Sequence, residues 1–195
     1  MAAGKDLRGG ALAHGQHPDR LAAFERQVLP HLPAAHNLAR WLVRNDQDAE
    51  DVMQEAMLRA FRFFDGFSGS NPRAWLLAVV RNCCYGLLEK QRQGQPGVPL
   101  DEELHAGPDA SGRTPETPEG LLLRNGAGRF LSQAVEALRV EYREVFVLRE
   151  LEGLSYKEIA ELARIPLGTV MSRLSRARRD LQAAFARHDQ GGSAP

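Results

Sequence analysis

Between Arg164 and Arg187 the chain carries six arginines and one acid, Asp180, although its 25 basic and 25 acidic residues cancel over the full 195. A local excess of that size suits a polyanion. Within it, Thr169, Ser172, Arg173, Ser175, Arg176 and Arg179 are interleaved with Val170, Leu174, Ala177 and Leu181. The four apolar residues recur at i, i+4, i+7 and i+11, which is one face of a helix, so the cations and hydroxyls fall on the other sides. Guanidinium forks pair with guanine edges or phosphate, while hydroxyls and helix N-terminal amides hold phosphate. A solvated basic helix would show the same charges, so the elements around it have to decide.

Those elements point to a helix-turn-helix. Gly153 offers a helix stop, and Ser155 with Glu158 three residues on forms a capping box that starts the next helix. Ile159, Ala160, Leu162 and Ala163 supply its apolar side. Pro166 cannot continue a helix interior, so this helix is expected to end at about Arg164 and the next to begin near Leu167 or Gly168. The second helix of such a pair can enter a DNA groove.

A second set of candidates lies earlier. Asn71-Pro72 gives an N-cap with proline at the first helical position, and a helix is expected from there to about Gln93. Arg73, Arg81, Lys90 and Arg92 make it positive; Trp75, Tyr85 and Asn82 add the aromatic and amide groups that can hold an unstacked base. Trp75 and Tyr85 also read simply as core. Upstream, NDQDAEDVMQEAMLRAFRFF is an amphipathic helix with Asp46 or Asp48 as its cap and Val52, Met53, Ala56, Met57, Ala60, Phe61 and Phe64 as its core stripe. Asp51, Glu55, Leu58 and Arg62 line another side, which periodicity alone reads as solvent-facing surface.

Residues 94–120 hold six acids against one base, Arg113, with five Pro and five Gly. Such a stretch buries little apolar surface and is expected to be a flexible acidic linker. Residues 1–17, rich in Ala and Gly, read as a disordered leader, and 189–195 as a tail. Two domains remain, 18–93 and 121–188, and no alternating strand pattern occurs in either: the fold class is all-α. No apolar run reaches the length of a membrane span and the N-terminus lacks a signal-peptide core, so a cytoplasmic protein without membrane insertion is expected. Adjacent Cys83 and Cys84 make a strained pair for a disulfide and have the wrong spacing for two ligands of one metal, so they read as reduced, with one or both in a core. There is no Gly-rich phosphate loop, HExxH or nucleophile motif, and the six histidines are scattered; neither catalysis, nor metal, nor cofactor is expected.

Asp48-Ala49-Glu50-Asp51-Val52-Met53-Gln54-Glu55, then Trp75-Leu76 and Arg81-Asn82, then Tyr142-Arg143-Glu144-Val145, and last the helix-turn-helix with Gly168-Thr169-Val170 and Ser172-Arg173, resemble in order and spacing the sigma-70 family of bacterial RNA polymerase sigma factors. The resemblance is to the small extracytoplasmic-function (ECF) group, which keeps only regions 2 and 4. It implies a region 2 bundle over 18–93 and a region 4 helix-turn-helix over 121–188. It implies core RNA polymerase as partner, through the clamp helices of the largest subunit and the flap region, with Asp48, Asp51, Gln54 and Glu55 on the polymerase-facing side. By the same resemblance, Arg73, Trp75, Arg81 and Asn82 meet the minus-ten element and hold a flipped base, an extrusion that costs a few kcal/mol. Thr169, Ser172, Arg173, Ser175, Arg176 and Arg179 meet the minus-35 element. The linker threads towards the active-site and RNA-exit channel, and an anti-sigma factor is an expected further partner.

Three positions depart from that pattern: Met171 stands where many relatives place Lys or Arg, Val140 replaces a frequent proline, and Gly126 and Gly128 fall where a helix enters the second domain. A helix-turn-helix repressor or activator is the alternative reading, with the first domain as sensor or dimeriser. It binds duplex DNA by itself, whereas a sigma factor binds core polymerase first.

Overall fold

A computed structural model describes residues 16–93 and 126–191. Among them every regular element is helical. The first half comprises α1 (Gln16–Val28), a single 3-10 turn (Leu29–His31), α2 (Leu32–Val43), α3 (Asp46–Phe63) and α4 (Pro72–Gln93). The second comprises α5 (Gly126–Glu136), α6 (Val140–Phe146), a π-helical turn (Val147–Leu151), α7 (Tyr156–Ala163) and α8 (Leu167–Gly191). Residues 1–15 of the expected leader and the whole acidic linker lie outside the described residues, while Gln16 and His17 already belong to α1 and α8 runs on to Gly191 in the expected tail.

Local chemistry sets the boundaries. Pro30 and Pro33 sit at the openings of the 3-10 turn and of α2, where a missing N–H costs nothing. Arg44 takes a left-handed conformation (φ 61°) that ends α2, and the extended Asn45 that follows caps α3 by accepting from the Asp48 amide at 2.9 Å. The cap therefore falls on Asn45, not on Asp46 or Asp48, because only the residue still outside helical φ/ψ can turn its side chain back. Asp46 and Asp48 occupy the first turn, where the helix dipole favours acids. Asn71 accepts from the Ala74 amide at 3.0 Å, so the Asn-Pro start of α4 forms as expected.

In the second half, the Ser155–Glu158 capping box is closed in both directions, at 3.2 and 2.8 Å. Gly153 (φ 68°) makes the turn before it, Arg164 (φ 55°) ends α7, and α8 starts at Leu167. Val140 holds the first position of α6, where proline would also fit. Gly126 and Gly128 both lie in the first turn of α5.

Helices α2, α3 and α4 pack on one another around fully buried Leu38, Leu42, Leu76, Leu77 and Val80, each contributing about 1.5–3 kcal/mol by its removal from water. Phe24 stands edge-on to both Phe61 and Phe64, with ring centroids 5.2 Å apart in each case. Cys83 and Cys84 are free and buried, and burial pushes the Cys84 thiol up to about 12, so it stays protonated and packs as a small apolar group. This core does not end at the first half: Val145, Val147, Leu148, Leu154, Ile159, Leu162, Val170 and Leu174 continue it. Helix α6 lies against α2, and α7 against α4. A smaller cluster of Ala134, Val135, Leu138, Tyr142, Ala177 and Leu181 joins α5, α6 and α8.

Candidate nucleic-acid interface

Along α8, Val170, Leu174, Ala177 and Leu181 are buried at 6% exposure or less, so the register read from the sequence is the one adopted. Ser172, Ser175, Arg176 and Arg179 are consequently exposed, while Thr169 and Arg173 are half-buried. The Arg176 guanidinium donates to the Tyr142 hydroxyl at 3.0 Å, and Ser172 Oγ donates to the Thr169 carbonyl at 3.0 Å. Arg178 turns away to Glu150 at 2.6 Å. Met171 is half exposed among the cations.

Helix α4 presents two faces. Trp75 and Asn82 are seven residues apart and share one, since seven residues make almost two turns. Asn82 is exposed; Trp75 is half-buried against Phe67 and Phe64, at 4.9 and 6.4 Å between centroids. The other face carries Arg81 and Tyr85 one turn apart, with the guanidinium 4.5 Å over the phenol ring. That face is covered. Arg81 Nε donates to Glu144 Oε1, and Tyr85 Oη donates to Glu144 Oε2 at 2.8 Å. Burial first, then the nearby Glu144 carboxylate, pushes the Tyr85 phenol well above its ordinary range, so it remains a donor. Arg73, at the head of the helix, donates to Glu152 Oε2 at 2.7 Å. The four residues predicted for minus-ten contact thus divide, with Trp75 and Asn82 on one side and Arg73 and Arg81 held by acids of the second half.

On α3, Asp51, Gln54 and Glu55 are exposed together. Asp48 is half-buried and accepts from Gln91 of α4 at 3.0 Å. Glu55 pairs with Arg59 at 2.6 Å, both half exposed. Beside them stand Leu58 and Phe63, at 70% and 61% exposure, far more than a core stripe leaves out. Phe63, the last residue of α3, was not singled out by periodicity, which favours the neighbouring Phe64.

The sequence reading also passed over Glu144, Glu152 and Arg143 as bonding groups. Arg143 is 4% exposed and donates to the carbonyls of Glu136 (2.6 Å), Leu138 (2.9 Å) and Leu42 (3.1 Å). Burial, then Arg44, lowers its pKa to about 10, which leaves it charged at neutral pH. A signal existed for two of them, since Arg143 and Glu144 stand between Tyr142 and Val145 in α6, but nothing local names their partners.

The geometry is that of a helix-turn-helix bearing an exposed cationic helix, packed on a helical bundle with an aromatic and amide face: a DNA-binding class of protein. Comparison with known proteins narrows it. Residues 28–93 match the family model for sigma-70 region 2, and residues 131–181 that for sigma-70 region 4. The chain is 32% identical to the RNA polymerase sigma-H factor of Pseudomonas aeruginosa over 84% of its own length and 86% of that protein. It is 35% identical to the ECF RNA polymerase sigma-E factor of Escherichia coli over 67% of its length and 70% of that protein. Among solved structures it is similar to the sigma factor RpoE of Bartonella quintana in complex with the anti-sigma factor NepR, at 29% identity and a TM-score of 0.64, covering 84% of this chain and 97% of that one. The chain belongs to the sigma-70 family of RNA polymerase sigma factors. Its relatives place it in the ECF group, whose members direct promoter-specific initiation of transcription. No helix among the described residues is long and apolar enough to cross a membrane.

Proposed function

We propose that the chain divides initiation between its two halves, residues 18–93 and 121–188. The polar side of α3, with Asp48, Asp51, Gln54 and Glu55, docks on the clamp helices of the polymerase largest subunit, and exposed Leu58 adds an apolar anchor there. Helix α4 serves the minus-ten element: Trp75 and Asn82 hold an extruded base by stacking and edge hydrogen bonds, and Arg73 and Arg81 take phosphate. Helix α8 serves the minus-35 element through Thr169, Ser172, Arg173, Ser175, Arg176 and Arg179, while the second half also meets the flap region. The chain works in the cytoplasm as a non-enzymatic factor, and an anti-sigma factor is its further partner, as NepR is for the RpoE structure.

The observation that supports this reading is the buried register of α8, which leaves its cations and hydroxyls outward, together with the exposed polar side of α3. Gel filtration with core polymerase, followed by transcription in vitro over a library of native promoters, tests it. Co-elution with core and initiation at a subset of promoters is expected. A chain that elutes as a dimer, binds duplex DNA by itself and leaves core untouched would be a repressor or activator instead.

A further inference from the structure

Two apolar side chains of α8 lie outside its buried row. Leu167 and Met171, one turn apart, keep 44% and 49% of their exposure, and among the described residues neither belongs to either apolar core cluster. Met171 is the fifth residue of the helix, close to the end that enters a groove first.

The register fixes which flank it occupies. Successive residues of a helix are about 100° apart. Met171 follows buried Val170 and so stands about 100° round from the core on one side; Arg176 precedes buried Ala177 and stands about as far round on the other. Exposed Ser172, Ser175 and Arg179 fill the outer side between them. The two flanks differ in chemistry. The Arg176 guanidinium, donating to Tyr142 Oη at 3.0 Å, makes one flank cationic. On the other, Arg178 follows Met171 by two turns and is paired with Glu150 at 2.6 Å, so the exposed group near the head of the helix there is a thioether beside a leucine.

In the major groove an apolar side chain has one apolar base feature to meet, the C5 methyl of thymine. Methionine suits it, being unbranched, polarisable and adaptable in shape. We propose that Met171 is a specificity-determining residue that selects thymine in the minus-35 element by packing on its C5 methyl, with Leu167 extending the apolar strip. This rests on the assignment of α8 to that element. The contact buries about one methyl group, which corresponds to about fourfold in affinity.

The test uses holoenzyme, the chain assembled with core polymerase, titrated onto fluorescein-labelled duplex from promoters at which it initiates. Each minus-35 thymine, on either strand, is replaced in turn by deoxyuridine, which removes the methyl and keeps the base pair. Wild type is expected to lose about fourfold at one thymine or two adjacent ones. Met171→Ala, at an exposed position outside the core, is expected to bind the thymine duplex about fourfold more weakly and to ignore the same replacement, and Met171→Leu to respond to it again. Equal wild-type affinity for thymine and deoxyuridine at every position, minus-35 elements that share no thymine, or an undiminished response in Met171→Ala would each overturn the assignment. So would a Met171→Ala chain that binds core more weakly without DNA, which makes the residue a protein contact. Base-pair transversions across the element separate the two levels. If they weaken binding while no deoxyuridine does, α8 still reads the minus-35 element and the Met171 contact alone falls; if they too change nothing, the minus-35 reading fails and the contact with it.

Discussion

The docking side of α3 yields to a double charge reversal, Asp51→Arg with Glu55→Arg. Both residues are exposed, and Glu55 makes one i,i+4 pair with Arg59 in which the side chains keep 50% and 52% of their exposure. Such a pair is worth about 0.2–0.5 kcal/mol, and turning it repulsive costs about as much again. The folded chain therefore loses no more than about 1 kcal/mol, which for a protein of this size lowers Tm by about 2–4 °C. At a docked surface, like-charge juxtaposition costs several kcal/mol, and about 3 kcal/mol weakens association by about a hundredfold. Fluorescence anisotropy of labelled chain titrated with core polymerase measures the loss, and a thermal melt checks the fold. Undiminished binding to core by the folded variant would refute the placement of the polymerase on α3.

Asn82→Ala is expected to leave the closed promoter complex intact and reduce permanganate-reactive open complex, with no rescue on a premelted template, since base capture follows strand separation. Trp75→Ala is expected to share that defect and also cost stability, by less than the about 3–5 kcal/mol of a fully buried ring, because Trp75 is only half-buried. Arg176→Ala should weaken minus-35 binding by about 1–3 kcal/mol, at one or two positions if it meets a base edge and uniformly with a flatter salt dependence if it meets phosphate; a minus-35 mutant series at two salt concentrations distinguishes these. Met171→Arg should tighten binding without sharpening sequence choice. Backbone and side-chain bonds from Ser155 hold the Glu158 carboxyl below its ordinary 4.5, so the capping box contributes stability that is complete above about pH 4.5 and is lost as pH falls through the folded-state value. Melts of wild type and Glu158→Gln are accordingly expected to converge under acid conditions.

The parts of this fold that were legible in the sequence are those fixed within a few residues. Ser155 and Glu158 cap α7, Asn71 caps α4, and the spacing of Val170, Leu174, Ala177 and Leu181 fixes which side of α8 faces water, because each depends on one helical turn or its repeat. The cap of α3 was misplaced by one or three residues, since Asn45, Asp46 and Asp48 share the same capping chemistry and only the left-handed Arg44 decides among them. The π turn left no local mark. Neither did the bonds of Glu144 and Glu152, whose partners lie 59 to 115 residues away. An acid in an apolar run shows that a donor must exist somewhere, and only the packing of the halves says that it is Arg81, Tyr85, Arg73 or Asn37.

That packing assigns the two faces of α4 to different stages. Asn82 is open to solvent, so the amide proposed to hold a base is accessible. Arg81 is paired with buried Glu144, and Arg73 with Glu152 while keeping 36% of its side-chain exposure. A single amide–base contact is worth about 1–3 kcal/mol, too little to retain a strand when the backbone-binding cations are paired with internal acids. On the proposed function, affinity for the opened strand draws on the arginines, and discrimination among bases on Asn82. A variant that frees the arginines and keeps Asn82 should bind single strands more tightly with its base preference intact, whereas Asn82→Ala in the same background should keep the gain on strands lacking the preferred base and lose about 1–3 kcal/mol on the strand that has it. Comparing these two chains on strands that differ at one base measures the two contributions separately.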